Sequence, residues 1–293
     1  MRTYKARGVV LHTIKYGDSS MVAYLFTDLF GRMNYMIQGV HSSRGRGNKA
    51  ALFQPMFLVE FEGIEQPQAR MHRMKEVRSL TPLSSLPFDV RKSTISLFMA
   101  EVLYRLIRES EANEPLFDFV CRSVVQLDRM TEGISNFHLW FLVQLSAYLG
   151  FYPGNEPIPN GYFDIRGGVF TPSVPAHRIC MDASCSGLLG DLMDCEADRL
   201  GSLPLSRTQR SAFMESMLLF FGYHLDAIRT VRSVSILREI FCPKCSPIWT
   251  TWAPTWKNWK RMMRRTSSRT WTPMTPWTSC KRWMTTSVKS WSP

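Results

Sequence analysis

Residues 6–40 read ARGVVLHTIKYGDSSMVAYLFTDLFGRMNYMIQGV, and their pattern sets the class of fold. Three runs in this stretch are rich in β-branched, aromatic and other apolar residues, at 6–14, 21–27 and 32–40, as is typical of β-strands. Turn-forming residues separate the runs, and Gly31 can adopt the positive φ that a tight turn requires. The stretch therefore predicts three consecutive strands joined by short turns.

Two further strands are predicted downstream of this stretch. Residues 56–62 (MFLVEFE) alternate between apolar and polar, and residues 69–80 (ARMHRMKEVRSL) can close a sheet. Residues 41–49 (HSSRGRGNK) lie between the first three predicted strands and these two. They are polar and basic and contain glycine, which predicts a flexible loop. Five short strands in about 80 residues indicate a closed or partly open barrel.

From Pro87 onward the apolar residues recur at helical spacing. Helices are predicted at 88–108, 114–130, 134–149, 186–200, 206–224 and 233–241. The third is apolar nearly all round, so we expect it to be buried. A Gly167-Gly168 turn between 162–165 and 169–170 predicts a β-hairpin.

These patterns predict an α+β protein with two domains and a tail. A barrel domain occupies residues 1–80, and an α-helical domain occupies residues 81–241 with a small inserted β-hairpin region at about 151–180. Residues 242–293 hold eight of the nine Trp and ten Lys or Arg but no acidic residue. This tail is either an arm that stacks on single strands or the translation of an altered reading frame. We favour the second and expect disorder.

The net charge of +12 is distributed unevenly along the chain. Residues 1–80 carry 12 basic and 6 acidic side chains, whereas residues 81–241 carry 14 and 18. A basic first domain is compatible with nucleic acid, although an ordinary basic surface gives the same count. No apolar run is long enough to span a membrane, and the amino end lacks the apolar core of a signal peptide. Seven irregularly spaced Cys favour a cytoplasmic protein with free thiols.

Short motifs occur in a fixed order along residues 1–241. The amino-terminal motifs are 5–11 (KARGVVL), 16–20 (YGDSS), 26–28 (FTD) with Gly31, Gly39-Val40, Phe53-Gln54-Pro55 and Lys75-Glu76. The later motifs are Lys92-Ser93, 100–103 (AEVL), Leu116-Phe117, 148–153 (YLGFYP), Phe163-Asp164 and 167–170 (GGVF). In this order and spacing they resemble the RecO family of bacterial DNA repair proteins.

The resemblance implies an N-terminal OB-fold followed by a helical domain. It also implies a nucleoid-associated recombination mediator that binds single- and double-stranded DNA and anneals complementary strands. The partners that it implies are RecR and the acidic C-terminal tail of single-strand-binding protein, with recombinase loading as the outcome.

We expect no enzyme, because the sequence contains neither a Walker A motif nor a GxSxG motif. Two alternatives remain open at this point: a protein-interaction scaffold built on an OB-fold, or an enzyme with an unrecognised site in the helical domain. Fold alone does not decide among them.

Basic residues of the first domain are the expected DNA contacts, since each neutralised phosphate releases counterions. They are Arg7, Arg32, Arg44, Arg46, Lys49, Arg70, Arg73 and Lys75. Tyr16, Tyr35 and Phe53 could stack on bases, but a place in the core is the favoured interpretation. Arg122 and Arg129, on the second predicted helix, are the expected contacts of the acidic partner tail.

Many members of the family carry a zinc site of four cysteines around the hairpin. Such relatives place one Cys pair after the Gly-Phe-Tyr-Pro stretch and another after the hairpin, yet residues 154–161 contain no Cys. Cys180, Cys185 and Cys195 are irregularly spaced, and Cys242 and Cys245 form an isolated pair. We therefore expect no zinc and no other cofactor.

Overall fold

The structure is a computed structural model that describes residues 3–40, 49–64, 71–108, 110–225, 228 and 231–241. The strands are β1 (Thr3–Tyr16), β2 (Ser20–Thr27), β3 (Gly31–Ile37), β4 (Leu58–Ile64), β5 (His72–Ser79), β6 (Tyr162–Asp164), β7 (Val169–Thr171) and β8 (Cys180–Met181). The helices are α1 (Val90–Leu106), α2 (Glu114–Arg129), α3 (Phe137–Tyr148), α4 (Ala183–Asp194), α5 (Arg207–His224) and α6 (Ser233–Ile240). Short 3₁₀ helices span Lys49–Leu52, Ile134–Asn136 and Ala197–Ser202.

The first five strands form a closed barrel in the order β1-β2-β3-β5-β4. β3 and β5 pair in parallel, and the other neighbours are antiparallel. β1 reaches both β2 and β4 because a β-bulge between Val10 and His12 bends it. This order and pairing are those of an OB-fold, which confirms the predicted barrel.

Some element bounds differ from those that the periodicity predicted. β3 ends at Ile37 rather than at Val40. α4 begins at Ala183, because the Asp182 side chain caps it by accepting a hydrogen bond from the backbone N–H of Cys185. The predicted hairpin gains a third strand, β8, which pairs with β6.

Two apolar clusters hold the described residues together. One lies inside the barrel and includes Val10, Leu25 and Phe61. The other joins outward-facing barrel residues, such as Val9 and Phe26, to the helices. α3 lies at its centre with nearly all of its side chains buried, as its all-round apolar pattern predicts. No helix among the described residues is long and apolar enough to cross a membrane.

The connection between barrel and helices is fixed by Asp128 at the end of α2. Its carboxylate accepts hydrogen bonds from the backbone N–H groups of Ser85 (2.8 Å) and Leu86 (2.7 Å). The buried Lys92 ammonium of α1 donates to the backbone oxygen of Asp128 (2.7 Å) and to the Ser85 hydroxyl (2.6 Å). These bonds hold α1 and α2 against the segment that leaves the barrel. The division into domains at residue 80 stays a prediction.

Candidate nucleic-acid interface and partner groove

The outer face of β2 and β3 is where OB-folds commonly bind nucleic acid. Helices cover part of this face. The Phe26 ring packs on Phe117 of α2, with 5.6 Å between centroids, and the Tyr24 ring packs on Tyr104 of α1 at 5.2 Å. A bound strand must therefore use the part of the face that the helices leave uncovered.

A row of paired residues crosses the rest of that face; it is buried at its second residue, Val22, and becomes exposed at its end. Ile14 pairs with Val22, Val22 with Met36, and Met36 with Arg73. Paired residues point to the same side of a sheet, so Arg73 lies on the same side as Met36. Arg73 is exposed, and no ion pair forms between it and any residue that the structure describes.

The row continues toward the turn between β1 and β2, where Lys15 and Tyr16 are both exposed. The Tyr16 side chain is 58% exposed, and an exposed ring beside basic groups can stack on a base. We call Ile14, Tyr16, Met36 and Arg73 the open barrel face. Lys15 pairs with Met21 and points to the other side of β1, because successive side chains of a strand alternate between the two faces. Lys15 was not among the predicted DNA contacts, although its place next to the Tyr16-Gly17 turn could have indicated it.

Three of the predicted DNA contacts, Arg44, Arg46 and Arg70, lie outside the described residues. The described residues on either side of residues 41–48 contact the barrel. The backbone N–H of Val40 donates to the Ser19 carbonyl in the β1–β2 turn (2.9 Å), and the 3₁₀ helix that begins at Lys49 contacts β5. The loop thus starts and ends beside strands that carry the open barrel face.

Three other predicted DNA contacts take part in intramolecular interactions. The Lys75 ammonium lies 3.3 Å from the Glu62 carboxylate, and the Arg7 guanidinium donates to Asp28 (2.9 Å). The Arg32 guanidinium donates to the backbone oxygen of Tyr104 (2.8 Å). Because Arg7 and Arg32 contact residues at the junction with the helices, the structure does not bring all the predicted residues onto one surface. Their contact with DNA stays a prediction.

The three candidate stacking residues separate clearly by burial. Tyr35 is 0% and Phe53 is 4% exposed, and both belong to the cluster inside the barrel. The Tyr35 hydroxyl is hydrogen-bonded to that of Tyr4 (3.0 Å), and burial raises the pKa of Tyr35 above its usual range. Of the three, Tyr16 is therefore the one that can reach a base.

A groove of about 760 Å³ separates the barrel from α2. Arg122 and Arg129 lie two helical turns apart on α2, so both side chains lie on the groove side. Arg7 lines the groove from the barrel. The structure thus brings both predicted partner contacts to one groove, together with a residue that we had predicted to contact DNA.

The floor of this groove is apolar and its third arginine is held in place. Apolar lining comes from Leu58, Leu80, Val125 and Met130. The hydrogen bond with Asp28 raises the pKa of Arg7, whose guanidinium also lies 5.3 Å from the centre of the Phe117 ring. Burial raises the pKa of the Cys121 thiol in the wall to about 12, so this thiol is neutral. Charge in the groove comes from three arginines against Glu132 and Asp198.

A second cleft, of about 430 Å³, adjoins the groove and shares Gln126 and Asp198 with it. Its rim carries three acidic side chains, Asp194, Glu196 and Asp198. A polyanion is repelled from such a rim. DNA is therefore expected to approach the barrel from the opposite side.

Two family models cover most of the chain. Recombination protein O N terminal matches residues 1–83, and Recombination protein O C terminal matches residues 87–232. The chain belongs to the RecO family. The DNA repair protein RecO of Bacteroides fragilis is 36% identical over 81% of this chain and 98% of its own length. The RecO proteins of Flavobacterium psychrophilum and Porphyromonas gingivalis are 32% and 31% identical, over 81% and 80% of this chain and 98% of their own lengths.

Membership of the RecO family supports a role in DNA repair and recombination. Several residues of the motifs that resemble the RecO family form turns or belong to the core. Gly31 begins β3 with a positive φ of 63°, and Gly168 turns the hairpin with a φ of 68°. Leu116 and Phe117 are buried in the core between barrel and helices. The motifs shared with the RecO family therefore lie mainly where the barrel and the hairpin turn or pack on the helices.

The cysteines in the described part of the chain do not form the four-cysteine zinc site that the RecO resemblance implies for many members. Cys180 lies in β8 and Cys185 in the first turn of α4. The described residues contain no group of three or more His, Cys, Asp or Glu side chains that could hold a metal ion. Cys242 and Cys245 lie outside the described residues, and the expectation of no zinc stays a prediction.

Hydrogen bonds tie the hairpin region together where such relatives place cysteines. The Asn155 amide donates to the Phe170 carbonyl (3.0 Å) and accepts from the Phe170 N–H (2.8 Å). His177 Nδ1 accepts from the backbone N–H of Ile179 (3.1 Å), so its Nε2 is the atom that donates to Asp164 (3.3 Å). We call Asn155, Asp164 and His177 the hairpin clamp.

Proposed function

We propose that this RecO-family protein is a non-catalytic mediator of DNA repair and recombination. It binds single- and double-stranded DNA, anneals complementary strands and, with RecR, helps to load recombinase onto DNA coated by single-strand-binding protein. The observation that carries the proposal is the separation of two basic surfaces. The open barrel face is suited to a nucleic-acid strand, and the arginine-lined groove is suited to an acidic peptide.

DNA binding on the open barrel face requires only charge and an exposed ring. Arg73 offers a cation on this face, and the exposed Lys15 lies at the end of β1. Residues 41–49, which the sequence predicts to form a loop, include Arg44 and Arg46. Phosphate contacts position a strand without reading its sequence. Annealing requires that two repelling backbones be neutralised while their bases remain free to pair, and such contacts satisfy this without covalent chemistry.

The groove beside α2 has the chemistry that an acidic tail with apolar residues requires. Arg122 and Arg129 can pair with carboxylates, and Val125, which lies between them, adds apolar surface. A cavity of about 760 Å³ is large enough for several side chains of a peptide. The acidic C-terminal tail of single-strand-binding protein is therefore the partner that we assign to this groove.

Replacing Lys15 and Arg73 by Ala in the full-length protein should weaken single-strand binding and make it less sensitive to salt. Removing one phosphate-binding cation lowers the slope of log affinity against log salt by about one. Fluorescence anisotropy with a labelled oligonucleotide at several salt concentrations measures both effects. Arg166→Ala is the matched control, because this exposed arginine lies in the hairpin turn. No binding by the wild type at low salt would leave the scaffold alternative in place.

Replacing Arg122 and Arg129 by Ala should weaken binding of the acidic tail by roughly 10- to 100-fold, since hydrogen bonds to charged groups contribute about 1.5–3 kcal/mol. Isothermal titration of the full-length protein with the tail peptide measures this affinity. Arg166→Ala again serves as the control, and single-strand binding by the double variant should change little. Wild-type peptide affinity in the double variant would contradict the assignment of the groove.

A further inference from the structure

A small notch lies where the beginnings of α3 and α5 meet α6. Its volume is about 30 Å³, close to the share of one water molecule. Its lining combines apolar side chains of α5 and α6 with five polar side chains, which are His138, Arg207, Arg210, Ser211 and Arg238. It is separate from the open barrel face and from the groove beside α2, and neither the RecO resemblance nor the proposed function uses it.

Arg210 brings a positive charge to the notch that no acidic side chain balances within the part of the chain that the structure describes. Its guanidinium donates to the backbone oxygen of Leu205 (2.5 Å), and it forms no ion pair with any described residue. Burial lowers the pKa of Arg210 because water is partly removed from the charged group. Arg238, by contrast, pairs with Glu215. The charge of Arg210 is therefore available to an external anion.

His138 contributes a buried polar atom to the same notch. Its side chain is 4% exposed, and its Nδ1 lacks a hydrogen-bond partner among the described residues. The ring stacks on Phe241 at 5.9 Å and meets Phe98 at 6.1 Å, so packing fixes its orientation. Burial lowers the pKa of His138 to about 3, and a neutral imidazole carries one N–H donor. In the tautomer that carries this proton on Nδ1, the buried donor would be stabilised by an oxygen that enters the notch.

The notch also lies at the amino end of a long helix. α5 runs for 18 residues, and Ser206 caps it by accepting a hydrogen bond from the Gln209 N–H. The positive end of the helix dipole adds to the charge of Arg207 and Arg210. Helix end, arginine and buried imidazole together make a site for one oxygen of an oxyanion.

We propose that this notch binds a phosphate of the nucleic-acid backbone, as a second DNA contact on the helical side of the protein. A ligand must present its oxygen from the surface, because the cavity admits about one water-sized group. A DNA backbone presents phosphates in this way, whereas a peptide needs room for side chains, which the groove beside α2 provides. The inference rests on the proposed DNA binding and extends it to Arg210.

The test compares full-length wild type with Arg210→Gln, His138→Phe and the control Arg166→Gln. Gln at position 210 keeps a donor for Leu205, and Phe at position 138 keeps the ring stack. Inorganic phosphate, compared with chloride at equal ionic strength, should raise the Tm of wild type and control. This shift should be absent in Arg210→Gln and reduced in His138→Phe. Arg210→Gln should also lower the salt slope of single-strand binding by about one.

The outcomes separate this inference from the proposed function. If both notch variants kept the wild-type shift of Tm with phosphate and the wild-type salt slope of DNA binding, the proposal that the notch binds phosphate would be overturned. Loss of the phosphate shift with an unchanged salt slope would mean an adventitious ion only and would also overturn the proposal. Loss of acidic-peptide binding in Arg210→Gln, with DNA binding intact, would assign the notch to a peptide instead. Failure of wild type to bind DNA would remove the proposed function itself.

Discussion

Two buried histidines make the folded protein less stable as the pH falls. Burial lowers the pKa of His138 to about 3, with a further contribution from Arg210, and burial lowers that of His12 to about 4. In the unfolded chain both titrate near the ordinary value of about 6.5. Between pH 6.5 and 4 the unfolded state therefore binds more protons than the folded state. Stability is full above this range and is lost as the pH falls through it.

His138→Phe should make the protein less sensitive to acid. For one such histidine the free energy of unfolding falls by about 2 kcal/mol between pH 7 and pH 5, because the unfolded state is protonated and the folded state is not. The variant lacks this histidine, so its free energy of unfolding should fall by about 2 kcal/mol less than that of the wild type between the two pH values. Urea titrations at the two pH values measure it. Equal falls in wild type and variant would contradict the assignment.

The three aromatic candidates for base stacking show that the sequence does not decide whether a single ring is buried or exposed. Tyr16, Tyr35 and Phe53 are equally good candidates for stacking in the sequence, and the core was the favoured interpretation for all three. The structure buries Tyr35 and Phe53 and exposes Tyr16. The difference arises because β1 continues beyond its pairing with β4, which ends at Val9, and reaches the turn paired with β2 alone. No local pattern at Tyr16 reveals this.

At the scale of elements, the hairpin clamp determines how β6, β7 and β8 are held to the preceding loop. Asn155 has a positive φ of 56° and makes both of its amide hydrogen bonds to Phe170. Sequence periodicity predicted the hairpin from its Gly-Gly turn. It did not predict β8 or the clamp, because a two-residue strand and hydrogen bonds between distant loops leave no periodic signal.

Asn155→Ala should lower the free energy of unfolding by about 2–3 kcal/mol, since it removes two hydrogen bonds and places a Cβ-bearing residue at positive φ. Asn155→Gly tolerates the φ, so it should lose only the part due to the amide. Urea unfolding of both variants separates the two contributions. Equal effects of Ala and Gly would mean that backbone conformation has no part in the clamp.

The metal content of the same protein tests whether hydrogen bonds replace zinc in this region. We expect the purified full-length protein to contain far less than one equivalent of zinc and to keep its Tm in the presence of EDTA. Elemental analysis and thermal unfolding measure the two quantities. One equivalent of tightly bound zinc would show that the cysteines, including those outside the described residues, form a site after all.

At the scale of the whole molecule, the barrel and the helices share one core through Phe117. This ring is fully buried, packs on Phe26 of the barrel and lies beneath the Arg7 guanidinium. The same contact covers part of the β2–β3 face, and the Phe117 ring lies beneath Arg7, which lines the groove beside α2. Packing between the two parts therefore determines which barrel surface remains open to DNA.

Phe117→Ala should cost about 3–5 kcal/mol, because it leaves a cavity at the centre of the shared core. It should also weaken acidic-peptide binding, since Arg7 loses the ring beneath it. Phe88→Ala is the control, because this ring is 75% exposed and its loss should change stability by about 0.5 kcal/mol or less. Chemical denaturation of the full-length proteins measures both changes. A small effect of Phe117→Ala would mean that barrel and helices fold independently.

Local sequence patterns were sufficient to predict the barrel, the helical order and the family, because strand alternation, helical periodicity and turn glycines are signals repeated along the chain. They also predicted Arg122 and Arg129 as partner contacts; the two residues line one groove, and their contact with a partner stays a prediction. The tertiary structure was needed to show that Arg7 joins them, that Arg32 and Lys75 interact within the protein, and that Tyr16 lies on the same barrel face as Arg73. Which residues share a groove or a face depends on how elements distant in sequence pack together. No local sequence pattern predicts that packing.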